Sequence, residues 1–264
     1  MRNTIKYELM KRLSFLLLAI MLSTFSTWAY DFMVDGIAYN FNSDSTTVSV
    51  TYTTSEAPSS STPSSYTGQV VIPDKVTYSK KTYLVTAIGY AAFRYCRNVT
   101  SVTIPNSVNT ICSYSFSVCW LSSITIPKSV NLIQLPEAFG FCPRLQEINV
   151  EEGNNEYCSI SGVLFDKGAT VLLKYPHASS RISYAIPSSV TTIEEGAFED
   201  ASNLVSVTIP NSVTSIADNA FRLLGSLTSI TIPNSVKRIG GMAFFFSFLS
   251  SSDLRITLHP RLIG

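Results

Sequence analysis

Leu204-Val205-Ser206-Val207-Thr208-Ile209-Pro210-Asn211-Ser212-Val213-Thr214-Ser215-Ile216, followed by Ala220-Phe221, is the stretch on which the reading of the fold turns. From Val207 to Ile209 apolar and polar residues alternate, the period-two signature of a strand with one buried face. Leu204, Val207 and Ile209 are expected to point inward, Ser206 and Thr208 outward. Pro210 has no N–H with which to extend a ladder, so the strand ends there, ahead of an Asn-Ser turn. Val213 and Ile216 return to the interior, and Ala220-Phe221 opens a short helical or irregular turn on the far side.

The unit recurs. Phe93, Phe116, Phe139, Phe198, Phe221 and Phe244 follow one another at steps of 23, 23, 59, 23 and 23 residues, the long step being one 23-residue unit plus a 36-residue excursion. Ile104-Pro105, Ile126-Pro127, Ile186-Pro187, Ile209-Pro210 and Ile232-Pro233 form a second ladder of nearly the same period. Two independent anchors on one period identify an internal repeat. So short a unit cannot bury its apolar side alone, and neighbours must stack. Strands about 4.8 Å apart then build a rod about 30 Å long from six or seven coils. Ser101, Thr103, Ser123, Thr125, Ser206, Thr208, Ser229 and Thr231 are expected to line up on its outside as one continuous, uncharged hydroxyl strip. Threonine suits strands on any sheet; the same strip is also the candidate binding face.

Leu-x-x-Ile-x-Ile-Pro-x-Ser-Val-x-x-Ile, followed by Ala-Phe and by Cys three residues after the Phe, resembles the BspA-like leucine-rich repeats of bacterial surface proteins. The resemblance covers residues 84 to 258 and implies a mainly β, right-handed leucine-rich-repeat solenoid with short helical turns. Asp35-Gly36-Ile37-Ala38-Tyr39 and Lys80-Lys81-Thr82-Tyr83 are similar to the segment that precedes such arrays. Ser161-Gly162-Val163-Leu164-Phe165-Asp166-Lys167 and Leu173-Lys174-Tyr175-Pro176, within the excursion, resemble a recurring insertion of the family. Export, surface display and adhesion to host or neighbouring-cell proteins are what the family implies. The third unit departs from the pattern with Gln134-Leu135-Pro136, and the last with Phe244-Phe245-Phe246-Ser247-Phe248 and about three extra residues before Ile256. The array then reaches Gly264 without an evident capping element, an end expected to stay open to a partner or to a second copy.

The flanks divide the chain into a signal segment over 1–29, an amino-terminal β cap and Ser/Pro-rich linker over 30–83, and the solenoid over 84–264 with its insertion at about 151–185. Arg2, Lys6, Lys11 and Arg12 precede an apolar run from Leu13 to Leu22, and Thr27 and Ala29 suit the small-residue positions of a cleavage site. A ten-residue run spans only about 15 Å as a helix against about 30 Å of hydrocarbon, so a cleavable secretory signal is expected rather than an anchor. No transmembrane segment is expected after its removal. Val48-Ser49-Val50-Thr51-Tyr52 reads as a strand of the cap, and the low-complexity stretch 55–67 as a mobile linker. Val163-Leu164-Phe165 and Val171-Leu172-Leu173 flank Asp166-Lys167-Gly168-Ala169, a hairpin expected to protrude from, or thicken, one edge of the solenoid.

Charged residues are 14 % of the 264, against roughly 25 % in average soluble domains, so hydroxyls must solvate much of the surface. The chain carries +1 overall; without its basic first 29 residues it stands near −2, which leaves no electrostatic case for nucleic acid. Among the five cysteines, Cys96, Cys119 and Cys142 each lie three residues after a repeat Phe, at a place where later units put Ala201, Leu224 and Ser247. That substitution pattern favours buried free thiols, while a Cys96–Cys119 disulfide between adjacent coils is sterically conceivable. His177 and His259 share no metal-ligand spacing, and both are expected in solvent. Glu151-Glu152, Glu194-Glu195 and Glu199-Asp200 read as solvated loop acids. With no nucleophile elbow, calcium loop or phosphate cradle, the chain calls for no metal, no cofactor and no catalytic residue. A secreted or surface adhesin for extracellular proteins or glycans is the leading expectation. A self-associating envelope component is the alternative, and a carbohydrate-active enzyme stands a distant third.

Overall fold

The structure, a computed structural model, describes residues 29–245, residue 247 and the backbone of Leu254–Ile256. The expected signal segment through residue 28, His259 and the expected open end beyond Ile256 lie outside the described residues.

The chain winds as a β-solenoid of about seven turns. Each coil contributes one strand to a first face and a shorter one to a second. On the first face Ser183–Ala185, Ser206–Thr208, Ser229–Ile232 and Leu254–Ile256 pair in parallel. Ser206 stands opposite Ser229 and Thr208 opposite Thr231, with Val207 against Ile230 beneath them. The last unit keeps this register despite its extra residues, Arg255 standing opposite Thr231. On the second face Lys81–Ile88, Thr110–Ile111 and Leu132–Ile133 form one parallel run, and Val171–Lys174, Thr192–Ile193, Ser215–Ile216 and Arg238–Ile239 another.

Inside, Phe93, Phe116 and Phe139 stack at ring-centroid distances of 5.3 and 5.8 Å. Tyr175, Phe198, Phe221 and Phe244 stack at 5.1, 4.9 and 5.3 Å. Tyr175 thus occupies the Phe position of the coil that carries the excursion. Each contact of this kind adds about 0.5–1.5 kcal/mol to the area buried.

Of the helical or irregular turns expected on the far side, nearly all are irregular. Among the described residues the one helical element is the three-residue 3-10 turn Glu137–Phe139. The reason lies two residues either side of each Phe, where the backbone is left-handed: Ala91 and Tyr95 around Phe93 (φ 54° and 59°), Tyr114 and Val118 around Phe116 (59° and 56°), Asn219 and Leu223 around Phe221 (56° and 60°). Such residues cost about 1–2 kcal/mol each and forbid a continuous helix. In exchange, alternate N–H groups reach the next coil: Ala91, Phe93 and Tyr95 donate to the carbonyls of Ser113, Ser115 and Ser117. The residues between them close three-residue turns, as Arg94 does onto Ala91 and Cys96 onto Phe93. The far side is therefore a third hydrogen-bonded seam between coils.

Cys96, Cys119 and Cys142 are buried free thiols. Cys119 Sγ donates to Cys96 O at 3.4 Å and Cys142 Sγ to Phe116 O at 3.0 Å, and Ser247 Oγ repeats the second bond on Phe221 O at 2.8 Å. The column thus holds either a thiol or hydroxyl that donates to a carbonyl, or, at Ala201 and Leu224, a buried apolar side chain. Burial pushes the Cys119 and Cys142 thiols up to about 12 and Cys96 higher still. A thiol-disulfide exchange reagent at pH 8 is accordingly expected to leave these three unmodified in the native protein and to titrate all five after denaturation. Rapid native modification of Cys119 or Cys142 would contradict the burial described.

Antiparallel and parallel pairings together close the amino-terminal end. Phe32–Val34, Ile37–Phe41 and Thr47–Thr51 form an antiparallel meander, and Thr47–Thr51 then runs parallel to Lys81–Ile88. Gly89 sits where a Cβ would come within 2.6 Å of Val50 O, so the cap and the first coil approach as closely as backbone allows. The first coil also begins earlier than residue 84: Gly68–Val71 pairs in parallel with Val99–Thr103, and Ile72-Pro73 stands where the later Ile-Pro pairs stand. Its spacing is hidden in the sequence by the antiparallel hairpin of Lys75–Tyr78 with Lys81–Ile88, inserted between the two faces of this coil.

The excursion does not protrude. Val163–Asp166 pairs antiparallel with Tyr157–Ile160 on one side and with Val171–Lys174 on the other. Asp166 closes the second hairpin, its carboxylate accepting from the N–H groups of Thr170 and Val171 at 2.7 and 2.6 Å. Val163, Leu164 and Phe165 are fully buried. Leu164 belongs to the core of the coils before it, whereas Val163 and Phe165 belong to the core of those after it. Successive strand residues point to opposite faces, so this strand is a partition inside the stack, dividing one core into two.

Candidate binding face

The eight hydroxyl residues fall into two groups of four. Ser206, Thr208, Ser229 and Thr231 line a groove of about 720 Å³, together with Asn211 and Asn234 from the turns that follow the strands. Ser101, Thr103, Ser123 and Thr125 line a second of about 260 Å³, with Glu151 at its rim. All are exposed except Ser101, which is half-buried. Period two explains the arrangement: with Val207, Ile209, Ile230 and Ile232 held in the core, their neighbours have nowhere to point but outward.

The strip expected to be continuous is interrupted. Beyond Glu147–Val150, where the next first-face strand would pair, the turn Ser161-Gly162 is inserted instead, and Ile148 N–H donates to Gly162 O at 2.9 Å. Gly162 has φ +75°, and a Cβ there would meet Glu147 Cγ at 2.9 Å, so the substitution of a strand by a turn at this edge needs glycine. Arg181 clasps the same turn from the other side, donating to Ser161 O at 2.7 Å. Two shorter faces result. In the first, Glu147 and Asn149 stand opposite Ser123 and Thr125; in the second, Ser183 and Ala185 stand opposite Ser206 and Thr208.

Several features of these faces go beyond the eight hydroxyl residues. Val71, 66 % exposed, stands opposite Thr103 on the strand whose repeat is hidden. Ile182 and Val205, 67 % and 39 % exposed, form an apolar rim beside the second face. Glu151 accepts from Lys128 N–H at 3.1 Å and sets a negative charge at the smaller groove. Only the first has a signal in the sequence, the Ile72-Pro73 pair.

The partition and the coils beside it bury His177, Lys174 and Glu199, of which His177 and Glu199 were expected in solvent. His177 is 3 % exposed, and its Nε2 accepts from Phe141 N–H at 3.1 Å. In other coils the equivalent N–H finds a backbone carbonyl of the next coil, as Val118 does on Gly140; here an imidazole replaces it because the stack is broken. Burial, and then the charge of Lys174, hold the His177 pKa well below its usual value. Lys174 is fully buried and donates to Gly196 O at 2.7 Å, and burial lowers its pKa to about 8. Glu199, expected to be solvated, is buried beside Arg222 and bonds it at 2.5 Å. These groups serve packing. Among the described residues no cluster of His, Cys, Asp and Glu is placed to hold a metal ion, and no helix is long and apolar enough to cross a membrane.

What the two faces offer chemically is rows of hydroxyls and carboxamides on a stiff backbone, able to donate and accept hydrogen bonds. Three solved structures are similar to this chain, and the first of them shares its fold. A leucine-rich repeat protein from Eubacterium ventriosum ATCC 27560 is 23 % identical, with 85 % of this chain and 71 % of that one covered and a TM-score of 0.53. The pneumococcal vaccine antigen PcpA is 19 % identical over 86 % and 85 % of the two chains, with a TM-score of 0.43. A leucine rich cell surface protein from Faecalibacterium prausnitzii A2-165 is 19 % identical over 87 % and 95 %, with a TM-score of 0.39. No curated protein matches. The BspA type leucine rich repeat region matches in six copies over residues 64–172 and 174–259. With its period, its stacked Phe columns and this match over most of its length, the chain belongs to the BspA-type leucine-rich-repeat family.

Proposed function

We propose that this protein is a secreted or surface-exposed binding protein, an adhesin that holds extracellular proteins or glycans on its two hydroxyl faces. The observation that carries the reading is the gathering of Ser206, Thr208, Ser229 and Thr231 in one groove and of Ser101, Thr103, Ser123 and Thr125 in another. Parallel, in-register strands hold these groups rigid before any ligand arrives, so little conformational entropy is lost on binding. Uncharged hydroxyl surfaces bind through many modest hydrogen bonds, which suits a broad contact with a macromolecule rather than capture of a small charged metabolite. The basic, apolar and small-residue order of residues 1–29 supports export, and a family of surface repeat proteins supports display.

The test is saturable binding of residues 30–264 to a panel of extracellular matrix proteins, whole cells and envelope glycans. Replacing Ser206, Thr208, Ser229 and Thr231 together by Arg is expected to weaken such binding on the order of tenfold or more through clash and unpaired charge. Ser206 faces Ser229 and Thr208 faces Thr231, so the paired arginines repel and lower stability somewhat; binding is therefore compared at a temperature where both proteins are folded. Absence of saturable binding across the panel, or a quadruple variant that binds as well as the parent, would overturn the reading.

A further inference from the structure

Where the chain enters the first-face strands Gly68–Val71 and Val99–Thr103, and sharing no residue with either hydroxyl groove, lies a cavity of about 500 Å³. One wall is Trp120, Tyr95 and Arg97 from adjacent coils; the other is the Ser/Pro-rich stretch, through Ser60 and Thr67. The low-complexity segment, expected to be a mobile linker, is thus folded where it meets the solenoid. Ser64 and Ser65 are tied to Thr53, Ser65 Oγ donating to Thr53 Oγ1 at 2.8 Å. Tyr66 is buried, its hydroxyl donating to Thr51 O at 2.6 Å and accepting from Ala38 N–H at 3.0 Å. The wall is therefore anchored, and the cavity is a standing feature of the fold.

Its chemistry differs from that of the faces. Trp120 follows Cys119 as Arg97 follows Cys96, so stacking sets the two side by side, and the backbone N–H of Trp120 donates to Cys96 O at 3.2 Å. Arg144 of the third coil places its guanidinium 4.3 Å from the centre of the Trp120 ring. Arg94 lies 5.1 Å from the Tyr95 ring and 4.9 Å from that of Tyr114. Two guanidinium groups thus rest on aromatic rings, and a third, that of Arg97, lines the cavity with Trp120 and Tyr95, in a chain where charge is scarce. None has a carboxylate partner: Arg222–Glu199 is the sole ion pair among the described residues, and no Asp or Glu lines the cavity. Arg97 and Asn98 are exposed, and neither side chain hydrogen-bonds within the described protein.

An aromatic ring offers an apolar platform with a polarised face, which the C–H side of a pyranose covers well; amphipathic aromatics of this kind dominate recognition where one side of the ligand is apolar and the other wet. Unpaired arginines beside it select for a carboxylate, which they grip with charge-assisted and often bidentate bonds. The volume falls within the range of small-ligand sites and admits one or two sugar rings. We infer that the cavity between Trp120, Tyr95 and Arg97 is a binding site for a carboxylate-bearing sugar, a sialyl or uronic acid residue of a larger glycan. Trp120 and Tyr95 supply the platform, Arg97 the carboxylate partner, and Asn98, Ser60 and Thr67 the hydrogen bonds to ring hydroxyls. Arg144 braces Trp120 from the neighbouring coil.

Isothermal titration of residues 30–264 with 3′-sialyllactose and with a hyaluronan tetrasaccharide tests this, neutral lactose and a Glu-rich peptide serving as comparisons; the two acidic probes separate a sialyl from a uronic acid source. Binding of at least one acidic sugar is expected, weakened by salt and on the order of tenfold tighter than lactose or the peptide. Arg97→Gln, on an exposed side chain, and Trp120→Ala should each weaken it on the order of tenfold, with the thermal midpoint of Arg97→Gln unchanged. The quadruple Arg variant of the strand face should bind the acidic sugar as the parent does, so the outcome stands apart from that of the proposed adhesion. No binding of either acidic sugar, equal binding of lactose or of the peptide, or full binding by Arg97→Gln would overturn it.

Discussion

Phe116→Ala is expected to destabilise the protein by about 3–5 kcal/mol, the usual cost of truncating a fully packed aromatic ring. Phe116 is 1 % exposed and has an aromatic neighbour on each side, Phe93 at 5.3 Å and Phe139 at 5.8 Å. Truncation removes both contacts and leaves a hole whose walls are held by ladders of backbone bonds, so collapse is poor and the cavity cost is nearly complete. Because the core is divided at Val163–Asp166, the damage should stay mostly in the coils before the partition. Stability in a stacked array is a sum of local and nearest-neighbour contributions. Hydrogen exchange should therefore accelerate around Phe93, Phe116 and Phe139 while Phe198 and Phe221 stay protected. A loss below about 1 kcal/mol, or equal acceleration in both halves, would show that the Phe column does not carry the stack.

Lys174→Met should do the opposite at neutral pH. The Lys174 pKa falls from 10.5 to about 8 through burial, opposed by Glu199 and Cys142. Between these two values the unfolded chain holds a proton that the folded one has released, so the contribution of this residue to stability rises with pH across that window. Below pH 8 the buried ammonium costs about 3 kcal/mol relative to its unfolded state. Methionine removes that cost and forfeits the bond to Gly196 O, worth about 1 kcal/mol. A net gain of about 2 kcal/mol at pH 7 is expected, shrinking to nothing at about pH 10 and turning into a small loss beyond it, where only the forfeited bond to Gly196 O remains. The comparison must be made between variant and parent, since the buried thiols, whose pKa values are raised, lose stability in the same alkaline range for both proteins. His177 acts at the other end. Its Nε2 must stay unprotonated to accept from Phe141, so stability is lost as pH falls through the unfolded value near 6.5. Denaturant midpoints from about pH 5 to 10 measure both effects; a Lys174→Met variant less stable than the parent at pH 7 would refute the first.

Lys174 and His177 also show where reading the chain residue by residue reaches its limit. Their charge and polarity argue for solvent when each is considered alone, and in most coils the equivalent positions hold Ala and apolar residues. The excursion changes their surroundings: it adds a strand on one side and deprives Phe141 of its carbonyl partner on the other, so a polar side chain is needed inside. A hairpin signal at Asp166-Lys167-Gly168-Ala169 is legible, and the hairpin forms. Its destination is not, because Val163-Leu164-Phe165 reads the same whether one face is buried or both.

The period of 23, the inward aromatic at each Phe, the strand ended by Ile-Pro and the outward hydroxyls all follow from the order of residues alone, since each depends on contacts within one coil or with an identical neighbour. Local alternation and repetition suffice for that much. Whether the hydroxyl strip runs unbroken, whether Ser64 to Tyr66 fold back as a wall, and whether a buried lysine replaces an alanine depend on residues far apart in the chain that meet once, at an interruption of the pattern. A repeat announces its own geometry because every coil sees the same environment. Its exceptions take theirs from non-local packing, which no single stretch encodes.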